Sequence, residues 1–389
     1  MADPLHLAVN VECVNAIYRV RTAASIEERA AALALEQTVE LPREALLGRL
    51  ARDALVGWVG AIHRDPDGGY RVEIAYPAAA AAEDPAQLLN LLCGNASLLD
   101  EVALLDVEVP AGLGERLGGP RYGIEGIRAA VGGAERPLAS AALKPMGLGP
   151  EALAEICYRF AVAGIDLIKD DHGLADACHC PLEARAEACL EAIERAADET
   201  GWRPVYAPNL IGPPAALARQ LETVTRLGAG AVVVAPMIVG LPAFQEMVGR
   251  SALPVIAHPA LGGRSGITTG LLLGTLFRLY GADAVIFPHV GGRFPFDEGL
   301  CRDVAGRLRR SWKSIRPALP VPAGGMSVER VREMVDFYGP DVMLLVGGTL
   351  YRSANRLEAR AREFVERVRS AAPDGASRGA GHPIRSAVR

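Results

Sequence analysis

The feature that most constrains the fold is a regular alternation in the second part of the chain. From Pro137 onward, short apolar runs rich in β-forming residues alternate with longer segments that carry alanine, charged and apolar residues at helical spacing. An open doubly wound sheet would have the same alternation, but eight units of similar size favour a closed (β/α)8 barrel. The eight runs are LASAALK, GIDLIKDD, PVYAPNL, GAVVVAP, PVIAHPA, ADAVIFPH, PVPAGG and VMLLVGG.

Polar residues and glycine pairs stand at one end of these runs. The C-terminal ends of parallel barrel strands meet on one face, and that face carries the active site in barrel enzymes. A random distribution of polar residues would not favour the same end of seven strands. The residues at these ends are Lys144, Lys169, Asp170, Asp171, His172, Asn209, His258, His289, Gly324, Gly325, Gly347 and Gly348.

The first part of the chain, to residue 125, has a different pattern. Strand, helix, strand, helix and strand patterns follow one another, which predicts a small α+β, ferredoxin-like domain with helices on one face of an antiparallel sheet. The predicted units are therefore an N-terminal domain 1–125, a barrel domain 126–370 and a flexible tail 371–389 rich in Gly, Pro, Ser and Ala. The alanine run 78–82 is expected to be a loop.

Composition excludes several classes of function. The 41 basic residues are scattered and the net charge is −5, so no nucleic-acid partner is expected. The N-terminus has no signal-peptide pattern and no apolar run reaches membrane-spanning length, so we expect a cytoplasmic protein without a membrane partner. The seven cysteines show no disulfide spacing. The cluster Cys178, His179 and Cys180 makes a poor zinc site, because adjacent ligands lack a second Cys/His pair.

Lys169 stands among acidic residues in the run KDDH. Strand alternation sends Lys169 and Asp171 to the same side, and His172 begins the following loop and can turn back beside them. A lysine between carboxylates is ordinarily a salt-bridged ammonium. In the second interpretation, a desolvated and neutral Lys169 reacts with carbon dioxide, and the carbamate binds a divalent metal together with Asp171.

These motifs, taken in order, resemble the large-subunit superfamily of ribulose bisphosphate carboxylase/oxygenase. The family motif at the second strand reads Lys-Asp-Asp-Glu, and its first lysine is the carbamylated magnesium ligand. The resemblance implies a metal site of Lys169, Asp171 and His172 that holds Mg²⁺, or Mn²⁺ or another divalent ion. Catalytic roles would fall to Lys144, Lys169, His258 and His289. Matching segments are Glu36, Asn95, LKPMGL, KDDH, Asn209, His258, His289, AGGM and VGGT.

The resemblance also implies a homodimer or a larger homo-oligomer. In the family, the N-terminal domain of one subunit covers the barrel mouth of its partner, and Glu36 and Asn95 match the residues that it contributes to the substrate site. Asn95 could instead have an ordinary helix C-terminal or turn role after Gly94.

Four departures from the family pattern argue against carbon fixation. The third metal ligand, a glutamate, is His172 here, although His172 could merely cap the following loop. The second lysine of the family's KPK element is Met146, and the arginine after the strand-five histidine is Pro259. The segment after His289 has no clear counterpart of the mobile-loop lysine. The chain therefore resembles the ribulose bisphosphate carboxylase-like proteins, which do not fix carbon dioxide.

The glycine pairs Gly324–Gly325 and Gly347–Gly348 match one of the family's two phosphate sites. Glycine lets the backbone approach an anion closely, although tight strand-to-helix turns would also use it. Since the arginine of the other site is Pro259, a substrate with one phosphate is expected.

The shared chemistry of this family is enolate formation beside a metal. The leading hypothesis is decarboxylation of a phosphorylated 3-oxo sugar acid of the 3-oxo-isoapionate 4-phosphate type, with Lys144 as the proton donor. His258 and His289 would transfer protons or contact substrate hydroxyls, or would be hydrogen-bonded residues of the mouth. The first alternative is an enolase or isomerase that acts on a methylthio-sugar phosphate or a diketone phosphate. The second is a phosphate-binding protein without catalytic activity.

Overall fold

The computed structural model describes residues 12–371, except 42–44, 46–54, 67, 134, 264, 313 and 353–355. The predicted tail 371–389 therefore lies, from residue 372 on, outside the described residues. Within the described residues, no helix is long and apolar enough to cross a membrane.

The N-terminal domain is a four-stranded antiparallel sheet in the order β2-β3-β1-β4. Alternate residues of β1 (Val14, Ala16, Tyr18, Val20) are buried, as expected for a sheet covered on one face. The strands are β1 (Cys13–Val20), β2 (Trp58–Arg64), β3 (Tyr70–Pro77) and β4 (Val102–Glu108).

Two helices cover this sheet, and both begin at side chains that cap a backbone N–H. Ser25 accepts from Glu28 N ahead of α1 (Ile26–Glu36), and Asp84 accepts from Gln87 N ahead of α2 (Pro85–Cys93). The α+β prediction is confirmed. The expected loop at residues 78–82 is wrong, because Ala78–Ala81 forms a 3₁₀ helix and Ala81 is buried. The pattern also missed β2, an edge strand that is not fully buried at any position.

The second part of the chain forms the predicted parallel barrel. Its strands pair in two sheets, β12-β11-β10-β9-β8 and β13-β5-β6-β7, and Pro208 separates β7 from β8 within the third barrel strand. The last strand pairs with the first, β13 with β5, as a barrel requires. The strands are β5 (Leu138–Leu143), β6 (Leu167–Asp170), β7 (Val205–Ala207), β8 (Asn209–Leu210), β9 (Val232–Val234), β10 (Val255–Ala257), β11 (Ala284–Pro288), β12 (Leu319–Ala323) and β13 (Met343–Val346).

Helices connect the barrel strands, and two more, which end at Leu117 and Ala130, precede β5. One of them, α10, is a continuous run of Thr269–Leu271, a π-helical turn Leu272–Leu276 and Phe277–Leu279. The others are α3 (Ala111–Leu117), α4 (Gly123–Ala130), α5 (Pro150–Val162), α6 (Leu182–Thr200), α7 (Pro214–Leu227), α8 (Pro236–Val239), α9 (Leu241–Arg250), α11 (Glu298–Arg309), α12 (Val331–Tyr338), α13 (Gly348–Tyr351) and α14 (Leu357–Ser370).

Two apolar layers hold the barrel together. Leu167 belongs to the inner cluster that fills the barrel, whereas its neighbour Ile168 belongs to the outer cluster between strands and helices. Ile127 of α4 packs into the inner cluster. The boundary predicted at residues 125 and 126 falls inside α4, and it stays a prediction.

The segment 258–268, which follows β10, joins the barrel to the N-terminal sheet. Leu104 N of β4 donates to Gly266 O (2.9 Å), and Thr268 N donates back to Leu104 O (3.0 Å). A parallel bridge between Leu104 and Ile267 continues this contact. The loop that begins at His258 is therefore paired with the edge of the N-terminal sheet.

Candidate active site

Lys169 lies inside the barrel at the C-terminal end of β6. Alternation along the strand sends Leu167 and Lys169 toward the interior, and Lys169 is only 2% exposed. Burial lowers the pKa of Lys169 to about 8, although Asp171 and Asp170 act to raise it. A larger fraction of this amine is therefore neutral near pH 7 than for an ordinary lysine.

Lys144 and Asp171 form an ion pair at the mouth of the barrel. Lys144 Nζ lies 2.6 Å from Asp171 Oδ1. Burial acts to raise the pKa of Asp171, but His172, Lys144 and Lys169 outweigh it and hold the pKa well below its usual range. The structure therefore brings together Lys144, Lys169, Asp171 and His172, as the sequence predicts.

Tyr351 holds the backbone of Lys144 in place. Its hydroxyl accepts from Lys144 N (3.0 Å) and donates to Ala142 O (2.9 Å), which ties α13 to the end of β5. A Cβ atom at Gly347 would lie 3.5 Å from Lys144 Cε. Lys144 thus extends from the glycine pair at the end of β13 to the carboxylate after β6.

His172 and His258 stack on each other, with ring centroids 4.0 Å apart and an interplanar angle of 12°. His172 Nδ1 is buried and has no hydrogen-bond partner among the described residues, and it lies 3.4 Å from Asp171 Oδ1. Burial, with added repulsion from Lys169 and His172, lowers the pKa of His258 to about 2. Since His258 Nδ1 accepts from Ala260 N (3.2 Å), the proton of this neutral ring is on Nε2.

These donors fit a divalent cation. Asp171 supplies a carboxylate oxygen and His172 an imidazole nitrogen without a hydrogen-bond partner among the described residues, and a carbamate on Lys169 would add an anionic oxygen ligand. No group of three His, Cys, Asp or Glu side chains could hold a metal within the described residues.

Asp170 points away from the mouth and is fully buried. It accepts from Arg185 Nε (2.9 Å), from Tyr206 Oη (2.8 Å) and from Asn209 N (3.1 Å). Asn209 Nδ2 in turn donates to the carbonyls of His172 (3.2 Å) and Leu174 (3.1 Å). Asn209, predicted to line the mouth, therefore braces the loop that carries Asp171 and His172.

Arg185 of α6 also supports the loop that carries Asp171 and His172, and the sequence pattern did not predict this role. It is fully buried and donates to Ala175 O (3.1 Å) and Cys180 O (2.9 Å) as well as to Asp170. Cys180 is buried, whereas Cys178 is exposed. The available signal was an arginine in PLEARAEACL on the face of α6 that is otherwise buried, since a buried arginine requires an acidic partner.

His289 lies on the other side of the mouth and is buried under the following loop. Its Nδ1 donates to Val290 O (2.7 Å), and its Nε2 has no partner among the described residues. Burial lowers the pKa of His289 more than the contact with Val290 O raises it. A Cβ at Gly292 would lie 2.9 Å from His289 Nε2, so the loop after β11 closes directly over the ring.

The glycine pairs form two adjacent turns at the ends of β12 and β13. Gly324 and Gly325 have φ angles of +84° and +108°, where a side chain would be strained. A Cβ at Gly325 would also lie 3.1 Å from Arg293 N. The hydroxyl of Thr349, which follows Gly348, donates to Met326 O and links the two turns.

Glu36 and Asn95 contact each other on the N-terminal domain. Asn95 Nδ2 donates to Glu36 Oε1 at 2.9 Å, and the pair is exposed. Among the described residues, no hydrogen bond or ion pair joins either side chain to the barrel. The structure thus brings these two predicted residues together, but not to the Lys169 cluster of the same chain.

Exposed apolar side chains stand on the loops around the mouth. Met146, in the loop after β5, is 65% exposed, and Leu261, in the loop after β10, is 69% exposed. Phe294, in the loop after β11, is 43% exposed. An atom added at Gly173 would lie 3.7 Å from Met146 Sδ, so Met146 lies over the KDDH loop.

Comparisons with known proteins agree with this arrangement. The family model described as the ribulose bisphosphate carboxylase large chain, catalytic domain, matches residues 123–292. Ribulose bisphosphate carboxylase-like protein 1 of Rhodopseudomonas palustris is 46% identical over 91% of this chain and 96% of its own length. The 5-methylthioribulose-1-phosphate isomerase of Rhodospirillum rubrum is 43% identical over 93% of this chain and 98% of its own length.

The fold agrees as well. The crystal structure of a Rubisco-like protein from Rhodopseudomonas palustris superposes with a TM-score of 0.85 at 44% identity, and the match covers 92% of this chain and 98% of that one. With two relatives above 40% identity over nearly their whole length, the chain belongs to the Rubisco-like proteins of the ribulose bisphosphate carboxylase large-chain superfamily.

Proposed function

We propose that this protein isomerises a methylthio-pentulose phosphate by moving a proton between neighbouring carbon atoms. The observation that carries the proposal is the position of Lys144, whose ammonium contacts Asp171 at 2.6 Å while its chain passes Gly347. A relative that is 43% identical over 93% of this chain is named as the isomerase of 5-methylthioribulose 1-phosphate. The name of this relative favours the isomerase alternative over decarboxylation, whereas Lys144 could carry a proton in either reaction.

The phosphate end of the substrate would bind at the glycine turns. Gly324, Gly325, Gly347 and Gly348 would offer backbone N–H groups to the anion, because none of them carries a side chain of its own. Pro259 stands where an arginine would hold a second phosphate, so the site is suited to a monophosphate. From the turn at Gly347, the Lys144 side chain reaches the Asp171 cluster, so it lies alongside a substrate that spans both places.

The carbonyl end would lie against Lys169, Asp171 and His172, which we propose as the ligands of one divalent cation, Mg²⁺ in the first instance. Such a cation, when bound, polarises a substrate carbonyl and stabilises the enolate charge that forms when the neighbouring C–H is lost. The lowered pKa of Lys169, about 8, favours the neutral amine that reacts with carbon dioxide. We therefore propose that Lys169 is carbamylated in the active protein.

Lys144 is the proposed proton carrier. In its neutral form, the Lys144 amine can accept a proton from one carbon and return it to the next. His258, neutral and protonated on Nε2, is suited to donate a hydrogen bond to a substrate oxygen. His289 Nε2, a buried acceptor, is suited to receive one from a substrate hydroxyl.

The apolar side chains around the mouth favour a methylthio substrate over a 3-oxo acid. Met146 occupies the place of a lysine in the family pattern and, with Phe294 and Leu261, gives the mouth an apolar rim. A methylthio group gains free energy from such contacts, whereas a carboxylate placed against these apolar side chains would lose hydration. Decarboxylation of a phosphorylated 3-oxo sugar acid is therefore the less supported hypothesis.

We further propose that the complete site needs a second copy of the chain. Glu36 and Asn95 are held together by a 2.9 Å hydrogen bond on an exposed part of the N-terminal domain, without a contact to their own Lys169 cluster. In a homodimer, this pair could cover the mouth of the partner's barrel. The cytoplasm, where such sugar phosphates occur, remains the expected location.

The test supplies the purified protein, Mg²⁺ and bicarbonate with 5-methylthioribulose 1-phosphate in deuterated water, and follows the products by ¹H and ¹³C NMR. We expect an isomeric pentulose phosphate without loss of carbon dioxide, and loss of turnover in Lys144→Met. Release of carbon dioxide from 3-oxo acid phosphates, with the methylthio substrate inert, would support decarboxylation instead. Inertness toward every phosphate tested, together with no metal binding, would favour the non-catalytic alternative.

A further inference from the structure

A large cavity lies away from the barrel mouth, between the N-terminal sheet and the side of the barrel. Its volume is about 820 Å³, which is ample for a small metabolite. The outer face of β1 and β3 forms one wall, and the segment 263–270 with α11 forms the other. The residues that line it and matter here are Arg19, Arg71, Asp106, Ser265, Thr268, Asp303 and Arg307.

Two arginines stand side by side on the sheet wall. Arg19 of β1 and Arg71 of β3 are directly opposed in the antiparallel register. Like charges in this position repel and destabilise a sheet. Arg19 has Ala103 as its neighbour on β4, and it forms no ion pair or hydrogen bond within the described part of the chain. Among the described residues, Arg71 forms one ion pair, in which its Nε lies 3.5 Å from Asp65 Oδ2.

The two acidic residues that line the cavity contact Arg307 rather than the arginines of the sheet. Asp106 and Asp303 both bind Arg307, at 2.7 Å and 2.8 Å. Two carboxylates oppose the single charge of Arg307, so the five charged side chains of the cavity sum to +1, and the positive charge lies on the sheet wall. Arginine pairs of this kind bind phosphate oxygens through several parallel N–H groups.

The opposite wall offers a hydroxyl without a partner. Ser265 Oγ is buried and forms no hydrogen bond with any described residue. Burying such a group without a partner costs free energy, so an acceptor or donor supplied by a ligand would stabilise it. Ser265 belongs to the segment 258–268, which begins at His258 of the active site and pairs with Leu104 of the N-terminal sheet.

We propose that this cavity binds a small phosphate-bearing anion between the Arg19–Arg71 pair and Ser265. The site is separate from the glycine turns of the barrel mouth and does not depend on the proposed isomerase reaction. Because the ligand would bridge the sheet and the segment 258–268, its binding reduces the motion of a loop that starts at His258.

The probes are inorganic phosphate and pyrophosphate. Isothermal titration of the full chain should give saturable binding of pyrophosphate with a Kd at or below about 1 mM. Hydrogen–deuterium exchange should show protection of the segment 258–268 when pyrophosphate is added. The double variant Arg19→Ala/Arg71→Ala should lose at least about tenfold in affinity together with that protection.

Two control variants locate the ligand. Arg332→Ala removes the same charge from a surface arginine that pairs with Asp336 and is 71% exposed, and it should bind pyrophosphate like the wild type. Gly325→Ala obstructs the glycine turn at the barrel mouth and should keep the protection of 258–268. Circular dichroism of each variant checks that the fold is intact.

Three results would overturn the proposal. The first is that the wild type does not bind pyrophosphate at concentrations up to about 10 mM. The second is binding that survives in the double variant but disappears in Gly325→Ala, which places the ion at the barrel mouth. The third is protection of 258–268 that rises with protein concentration rather than with pyrophosphate, which indicates a contact with a second copy of the chain.

Discussion

Replacement of Arg185 by leucine should destabilise the barrel and disorder the loop that carries Asp171 and His172. Arg185 is fully buried, and its guanidinium binds the Asp170 carboxylate at 2.9 Å and the carbonyls of Ala175 and Cys180. Removal of one partner from a buried ion pair leaves the other charge uncompensated and typically costs about 3–5 kcal/mol. Tyr206 and Asn209 still bind Asp170, which places the expected cost at the lower end, about 3 kcal/mol.

The measurement is urea unfolding at fixed protein concentration, followed by tryptophan fluorescence. Trp202 is a suitable reporter, because its indole Nε1 donates to Ile165 O (2.9 Å) just before β6. The matched control is Arg226→Leu, which breaks the exposed pair with Glu183 on neighbouring helices and should cost less than about 1 kcal/mol. Arg185→Lys should fall between the two, because one ammonium cannot hold the carboxylate and both carbonyls.

A second variant separates the charge effect from the loss of packing. In Asp170→Asn/Arg185→Leu, no buried charge is left alone, so the double change should cost less than the sum of the single changes by about 1–3 kcal/mol. Additive costs would contradict the buried-pair argument. The argument would also be contradicted by an Arg185→Leu protein that is as stable as Arg226→Leu and has an unchanged kcat.

Further predictions concern the site itself. Lys169→Ala should abolish turnover and remove the dependence of Mg²⁺ binding on bicarbonate, measured by isothermal titration, whereas full activity without bicarbonate would refute carbamylation. Mixtures of Asn95→Ala and Lys169→Ala chains should recover activity that neither parent has, because each mixed dimer would hold one intact site, and no recovery would count against shared sites. Met146→Lys should raise KM for the methylthio substrate about tenfold with a smaller effect on kcat, since it removes an apolar contact of about 1–1.5 kcal/mol, and an unchanged KM would place the methylthio group elsewhere. Tyr351→Phe should cost about 1–3 kcal/mol of stability and lower kcat, because the N–H of Lys144 loses its acceptor, and a neutral effect on both would contradict that role.

Much of the barrel could be predicted because its signals are local. Apolar runs with β-forming residues followed by helical patterns led to all eight barrel strands, and the polar residues at their ends led to Lys144, Lys169 and Asp171. The edge strand β2 was not predicted, because neither of its faces is buried enough to require an alternation of apolar and polar residues. The 3₁₀ helix of the alanine run was not predicted either, since alanine fits a buried 3₁₀ turn and an exposed loop equally well.

The contacts between distant segments could not be predicted in the same way. The stacking of His172 on His258 joins residues 86 positions apart, and the contact of Lys144 N with the Tyr351 hydroxyl joins residues 207 apart. Such contacts depend on how far each loop turns over the mouth, which no single-segment pattern encodes. The cavity between the sheet and the barrel is of the same kind, because β1, β3 and segment 263–270 meet only in the folded chain.

The run KDDH contains residues of the candidate site and also, at Asp170, a residue that supports the loop of that site. Strand alternation sends Lys169 into the barrel and Asp170 toward α6, where Arg185, Tyr206 and Asn209 hold it. The strand ends at Asp170, so Asp171 and His172 belong to the loop, and their positions depend on the bonds of Asp170 and Asn209 rather than on the sheet. A substitution at Asp170 should therefore disturb the proposed cation site although the residue contacts neither substrate nor cation. We propose that charge at Asp170 holds the loop and that charge at Asp171 serves the chemistry, so two adjacent and identical residues would have different tasks.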